Sequence, residues 1–437
     1  MQRKNTNIIV KVMADRNIIK RLIIEYQSVA KTKQLLQRNH YFDEHSNYVL
    51  VGIRRAGKSF LLYQDIQQRI RNKTISSNEF VYINFEDERI TNIQAQDLGL
   101  ILDCYNELYP EKQPWVYLDE IQLIEGWEKF ARRLADQGYR VMITGSNAKM
   151  LSNEIATTLG GRYIPHEVFP FTFKEYLEYN KISVTDNWQY DRDKSARIRK
   201  LFDTYFTCGG FAENFKRDDK REWLNALYQK ILLGDIIARN SIRTPRVFRL
   251  LARKIAESIE QPMSQTRLLH TIKSTGENIS LPALKDYLDY MQDAFLTFAI
   301  PNLASPLTER STTVKRYFSD NGLLNVFFTS EEGKLLENIV AITLYQRFYS
   351  IEESQVFYYN KNIEVDFCVP KEKLAIQVTL KMDNVSTYER EVSALDKFIA
   401  VNPQYKGIII TLDEEQTIQS ASKLDIEVIP VWKWVIR

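Results

Sequence analysis

Eight consecutive residues, Gly52-Ile53-Arg54-Arg55-Ala56-Gly57-Lys58-Ser59, fit the pattern G-x-x-x-x-G-K-[ST]. The chemistry of that pattern is phosphate binding. Its glycines let the backbone turn N–H groups inward, its lysine reaches the β- and γ-phosphates, and its serine hydroxyl is a ligand for Mg²⁺. A helix opening at Phe60 presents its positive end to the same anion. Gly52, Arg54, Arg55, Ala56, Gly57, Lys58, Ser59 and Phe60 are therefore the candidate cofactor-binding residues, with a nucleoside triphosphate and Mg²⁺ as the ligands. Arg54 and Arg55 face either phosphate or a neighbouring element, and their N–H groups count for more than their charges.

A phosphate cradle holds nucleotide; hydrolysis also needs a metal anchor and a group that polarises water. About sixty residues after the loop, the apolar run Trp115-Val116-Tyr117-Leu118 ends in Asp119-Glu120. Asp119 is the candidate metal partner beside Ser59, and Glu120 the candidate base. The next apolar stretch ends in Gly145-Ser146-Asn147. A polar side chain there either orders the attacking water or caps the following helix, and Ser146 and Asn147 suit both tasks. Arg162 follows Gly160-Gly161. It either offsets γ-phosphate charge, in its own subunit or across an interface, or serves as a surface salt-bridge residue.

These residues need strands ending at one edge of a sheet. Candidate strands at 48–51, 80–85, 115–118, 140–144 and 163–168 alternate with helical patterns, one of them at 127–136. Alternation of this kind predicts an α/β unit with a mostly parallel sheet covered on both faces. Beyond residue 170 the pattern turns helical to about 230. Between 245 and 330 three helices (248–260, 264–274, 281–293) and two extended segments (296–300, 315–318) resemble a winged helix-turn-helix. Lys285, Arg310, Lys315 and Arg316 are its candidate phosphate-backbone contacts, but Asp286, Asp289 and Asp293 on the third helix suit a nucleic-acid groove poorly, so packing is the favoured role. A last α/β unit begins near 331, with a helix at 334–348, strands at 356–359, 364–369 and 375–379, a helix at 385–398, and strands at 407–411 and 427–431.

At 437 residues the chain exceeds one ordinary core, and two or three domains are expected. No apolar run approaches the roughly 20 residues of a membrane span, and no signal-peptide pattern follows the first basic residues, so a cytoplasmic location without a membrane partner is expected. Cys104, Cys208 and Cys368 are distant and odd in number, which suits free thiols. Net charge is +3, yet residues 1–73 carry fifteen Lys and Arg against five Asp and Glu, a local +10, so the rest sums to −7. The basic segment reads first as solvated helix faces and second as a contact for nucleic acid.

With these motifs placed, nearly the whole chain resembles a group of prokaryotic AAA-like P-loop ATPases. Members have a helical and winged-helix-like middle and a C-terminal restriction-endonuclease-like domain of unknown function. The resemblance rests on the loop with its double arginine, Tyr117-Leu118-Asp119-Glu120-Ile121-Gln122, Thr144-Gly145-Ser146 and Leu159-Gly160-Gly161-Arg162. Cys208-Gly209-Gly210-Phe211-Ala212-Glu213, Gly234-Asp235-Ile236-Ile237-Ala238-Arg239 and Leu335-Leu336-Glu337-Asn338 extend it, as do Glu364-Val365-Asp366-Phe367 and Ile376-Gln377-Val378. It implies a five-stranded ATPase sheet, adenine over guanine, and assembly with further copies of the chain. It also implies four regions: a P-loop domain over 1–170, a helical lid or linker over 171–244, a winged-helix-like domain over 245–330, and the endonuclease-like domain over 331–437. In the last, Asp366 matches the first acid of a PD-(D/E)xK site and Glu337 the helix acid. Gln377-Val378-Thr379 replaces the second acid and the lysine, and Lys381 stands as a substitute only if the strand runs that far. Three functions remain open: an ATPase linked to DNA, a nucleotide-switched module binding DNA or protein, and, least favoured, an ATP-regulated nuclease.

Overall fold

The protein is described from a computed structural model that covers residues 15–350, 354–423 and 425–437. Residues 1–14, the start of the basic segment, lie outside it. The chain forms two compact units. The first holds the described residues up to Gly52 together with Gly57–Val168; the second holds Ile53–Ala56 and Phe169–Arg437.

The first unit opens with helix α1 (Arg16–Thr32), capped by the Asp15 carboxylate, which accepts from Asn17 N–H. Its buried residues Ile19, Leu22, Ile23, Gln27 and Ala30 form one face at helical spacing. Then come β1 (Asn47–Val51), α2 (Lys58–Arg71), β2 (Phe80–Asn84), α3 (Gly99–Leu108), β3 (Trp115–Asp119), α4 (Trp127–Asp136), β4 (Val141–Gly145), α5 (Asn153–Leu159) and β5 (Tyr163–Glu167). The five strands are parallel, in the order β2-β3-β4-β1-β5. Every residue of β1 is buried, as an interior strand covered on both faces requires. Pro165 sits in β5, at the sheet edge, where a missing N–H is tolerated. β4 lies between β1 and β3, so the loop leaving β1 and the acids ending β3 flank its C-terminal end, the edge where open parallel sheets bind ligands.

The second unit begins with α6 (Phe173–Tyr179), α7 (Arg192–Cys208) and α8 (Lys220–Lys230), which passes into a π-helical run at Ile231–Ala238. Helix α9 (Pro245–Glu257), strand β6 (Met263–Ser264), helices α10 (Gln265–Lys273) and α11 (Leu281–Asp293), and strands β7 (Thr297–Pro301) and β8 (Thr313–Phe318) follow. The three strands pair antiparallel in the order β6-β8-β7. A short helix, α12 (Asn321–Asn325), leads to α13 (Glu332–Arg347), which is buried around most of its circumference.

The last sheet contains β9 (Phe357–Asn360), β10 (Glu364–Val369), β11 (Leu374–Val378), β12 (Lys406–Thr411), β13 (Gln416–Gln419) and β14 (Asp425–Pro430), with α14 (Val385–Val401) before β12 and α15 (Val431–Trp434) at the end. Its order is β13-β14-β12-β11-β10-β9, with β11, β12 and β14 mutually parallel. No helix among the described residues is long and apolar enough to cross a membrane. All three cysteines are free thiols.

Candidate functional site

The phosphate loop is built by local sterics. Gly52 has φ +146°, and a Cβ there would lie 2.2 Å from the Val168 carbonyl oxygen, so only glycine fits. Ala56 N–H closes a turn onto Ile53 O at 3.1 Å, Arg55 sits at φ +65°, and Gly57 at φ +104° leads into α2. No acid stands in the first turn of α2 and no side chain caps it, so its N–H groups point into the loop.

Lys58 is buried and folds back, its Nζ donating to Gly52 O at 3.0 Å and lying 3.8 Å from Glu120 Oε1. Ser59 Oγ donates to Asp119 Oδ1 at 3.0 Å. Thr144 Oγ1 also donates to Oδ1, and Tyr82 OH to Oδ2 at 2.5 Å. Burial, and next the charge of Glu120, push the Asp119 carboxyl above its ordinary range; the bonds from Thr144, Tyr82 and Ser59 act against them. Three hydroxyls, and no cation among the described residues, hold this buried carboxylate. A hydroxyl and a carboxylate side by side are oxygen ligands of the kind a hard divalent cation takes, and such a cation would relieve the strain on Asp119. The residues present therefore fit Mg²⁺.

Glu120 begins a tight turn at φ +56°, its backbone N–H donating to Thr144 Oγ1 at 3.0 Å. Its carboxylate accepts from Gln122 Nε2 at 2.5 Å. Lys58, Ser59, Asp119 and Glu120 are thus brought together. The other sequence candidates take different positions. Asn147 caps the short helix Ala148–Leu151, its Oδ1 accepting from Lys149 N–H at 2.9 Å. Arg162 is exposed, paired with Asp136 and bonded to Gly160 O at 3.2 Å. Phe60 is 41% exposed, with the Lys33 ammonium 5.4 Å from its ring centre.

Arg54 makes a two-pronged bond to Asp235 (2.7 and 3.0 Å), a nearly buried acid of the π-helical run. Arg55 pairs with Glu213 at 2.5 Å, its guanidinium 5.6 Å from the centre of the Trp223 ring. Both arginines thus engage neighbouring elements.

Four residues about the site carry no role in the sequence reading: Tyr82, Arg38, Gln122 and Thr144. Thr144 and Gln122 lie inside the motif matches. Tyr82 is one of several aromatics in its strand, with nothing to set it apart. Arg38 is buried, with both its backbone N–H and C=O bonded to the Gln64 amide (2.9 and 2.7 Å) and a guanidinium nitrogen 3.9 Å from where a Gly57 Cβ would stand.

In the second unit, two expectations are corrected. Lys315 and Arg316, read as phosphate-backbone contacts, are buried. The Lys315 ammonium lies 3.0 Å from Asp366 Oδ1, 3.2 Å from Glu337 Oε1 and 3.5 Å from Glu364 Oε1. Burial raises the Glu337 carboxyl to about 7 although Lys315 pulls it down. Lys381 lies beyond β11, which ends at Val378, so the condition for its substitute role is unmet; the lysine among these acids comes from β8. Gln377 bridges, accepting from Asp366 N–H at 2.8 Å and donating to Glu391 at 2.7 Å. No group of three acids, histidines or cysteines among the described residues is placed to hold a metal ion.

Comparison with known proteins agrees with the loop. Residues 44–177 match the AAA domain family, and residues 199–332 match a domain of unknown function, DUF8612. The uncharacterized protein MJ1544 of Methanocaldococcus jannaschii is 33% identical over 442 residues, covering 97% of each chain. An uncharacterized protein of Haemophilus influenzae is 29% identical, over 93% of this chain and all of its own length. Among solved structures, the Walker-type ATPase PABY2304 of Pyrococcus abyssi aligns over 72% of this chain and 96% of its own at 16% identity, with a TM-score of 0.37, too low to carry an argument. The chain belongs to the family of MJ1544 and carries an AAA domain of the P-loop NTPase kind.

Proposed function

We propose that the protein is a Mg²⁺-dependent ATPase in which water attacks the γ-phosphate. The observation that carries this reading is the Ser59–Asp119 contact at 3.0 Å beside a buried Lys58 that reaches towards Glu120. In this reading the inward N–H groups of 52–59 and the positive end of α2 bind the phosphates, and Lys58 exchanges Gly52 O for phosphate oxygen. Ser59 and Asp119 hold the metal. When bound, Mg²⁺ supplies charge neutralisation at the β- and γ-phosphate oxygens. Glu120 takes the proton of the attacking water.

A second reading, a nucleotide-switched module with negligible turnover, draws on Arg54 and Arg55. Ile53–Ala56 sit in the heart of the phosphate loop yet belong to the second unit, through Asp235 and Glu213 among others. A loop that reshapes around nucleotide would pull on those contacts.

The finer assignments are part of the proposal. The three helices α9 to α11 with the β6-β8-β7 sheet support a winged-helix-like region over 245–330, after a helical region over 171–244 and a P-loop region over 1–170. Adjacent β10 and β11, carrying Asp366 and Gln377, with Glu337 on α13, support an endonuclease-like sheet over 331–437, with no metal-ligand set among its described residues. DNA, a protein, or further copies of the chain are the proposed partners, and the interior places of Lys315 and Arg316 leave DNA fewer basic contacts than the sequence offers.

Steady-state ATP turnover with Mg²⁺, with and without duplex and single-stranded DNA, tests the reading beside Glu120→Gln and Lys58→Ala. The ATPase predicts turnover lost in Glu120→Gln with ATP still bound, and binding lost in Lys58→Ala. Tight binding without turnover in the wild type selects the switch; undiminished affinity in Lys58→Ala rejects the site.

A further inference from the structure

Glu120 has a holder with no assigned role. Gln122 Nε2 donates to Glu120 Oε2 at 2.5 Å and lies 3.5 Å from Ser146 Oγ. The carboxylate only accepts, so the amide is fixed in this sense; reversed, its carbonyl oxygen would face the carboxylate. Sterics hold it there as well. A Cβ at Gly145 would lie 2.5 Å from Gln122 Oε1 and 2.0 Å from Met150 Sδ, so the missing side chain at the end of β4 makes the space the amide fills.

This arrangement is not the relaxed one. Gln122 Oε1 is buried without a hydrogen-bond partner, and Glu120 is held in the left-handed region at φ +56°. A buried carbonyl oxygen without a donor and a non-glycine residue at positive φ are each unfavourable. Packing alone would relax both, and both bear on one carboxylate. Uncompensated features of this kind gather where a side chain must be aimed.

We propose that Gln122 is the positioning residue of the hydrolytic base. Its amide engages Oε2 of Glu120 and so orients the carboxylate, with Oε1 on the Lys58 side. The inference rests on the ATPase reading. In the step it serves, a water O–H bond breaks and its proton passes to the Glu120 carboxylate. The water oxygen forms the new bond to the γ-phosphorus. The bond from that phosphorus to the β–γ bridging oxygen breaks, and its electron pair leaves with ADP.

The test is kcat and KM for ATP at one near-neutral pH in the full-length chain, comparing wild type with Gln122→Met and Gln122→Glu. Methionine keeps the length and removes the donor; glutamate keeps the shape and sets a second carboxylate against the first. For Gln122→Met, kcat near neutral pH should fall about tenfold, with KM changed less than about twofold. Gln122→Glu should lower kcat further, again with KM changed less than about twofold, since a like charge set against the base adds to the lost donor. A kcat within about twofold of wild type in both variants, or an effect confined to KM, overturns the assignment. If Glu120→Gln is inactive while both Gln122 variants keep the wild-type kcat, only this inference falls. A wild type without turnover overturns it together with the ATPase reading.

Discussion

Replacing Lys315 by methionine removes an ammonium and keeps most of its volume. Three carboxylates face that ammonium, but they do not weigh equally. The Glu364 side chain is 46% exposed, so water screens it and its share is small. Glu337 and Asp366 are 6% and 14% exposed and carry the loss. Removing one partner of a buried ion pair costs about 3–5 kcal/mol, because a charge is left without compensation. Glu337 can escape part of that cost by taking a proton. Glu337 sits at about 7 while Lys315 still pulls it down, so it rises further in the variant. A carboxyl raised on folding contributes stability that is full below its unfolded value and lost as pH climbs through the folded one. The deficit of Lys315→Met should therefore be smaller near about pH 5, where Glu337 holds its proton, and grow towards about 3–5 kcal/mol near about pH 8. That corresponds to a melting point lower by on the order of 10 °C. Thermal melts of both proteins at the two pH values, followed by tryptophan fluorescence, provide the measurement; Trp432 and Trp434 are buried reporters in the same unit. An equal deficit at both pH values would mean lost packing and not lost charge, and would refute the reasoning.

Gly52→Ala should abolish tight nucleotide binding, since its methyl would meet the Val168 carbonyl at 2.2 Å; ATP affinity by calorimetry within about twofold of wild type would refute the steric argument. Arg54→Ala should lower the stability of the second unit by about 2–4 kcal/mol, because it strips a two-pronged partner from buried Asp235, while Arg239 at 3.4 Å keeps the loss below the full value. Denaturation beside ATP binding separates the roles: a tenfold weaker affinity with unchanged stability would make Arg54 a phosphate ligand. Wild-type thermal stability should fall from about pH 5 to about pH 8, because Glu337 (about 7) and Asp320 (about 6) are both raised by burial and must ionise in place; melts that rise over that window would contradict those environments.

The parts legible in the sequence are those that short-range rules decide. Gly52, Gly57 and Lys58-Ser59 announce a loop through spacing alone, and five apolar runs announce the strands that became β1 to β5. The strand β13 escaped notice because Gln416-Thr417-Ile418-Gln419 has one buried apolar residue and sits at an edge, where alternation is weakest. The partner of Arg54 lies 181 residues away, and no pattern within a helix or strand points to it. The partners of Lys315 were hidden for the same reason. A lysine in a basic-looking strand is usually at the surface, and only the acids brought by α13 and β10 make its burial tolerable. Tyr82 and Arg38 belong to this class too, ordinary in type and defined by what the fold sets beside them.

The assignment of Ile53–Ala56 to the second unit has a consequence for how the molecule can be taken apart. No single cut in the chain separates the two units, because four residues of one interrupt the sequence of the other. A fragment ending at Val168 keeps the whole phosphate motif as a string of letters. It nevertheless loses Asp235 and Glu213, and two guanidinium groups in adjacent positions are left facing water without their counter-charges. The familiar boundary of a nucleotide-binding module is therefore not a boundary here. Truncations at that boundary would strip the loop of both acidic partners.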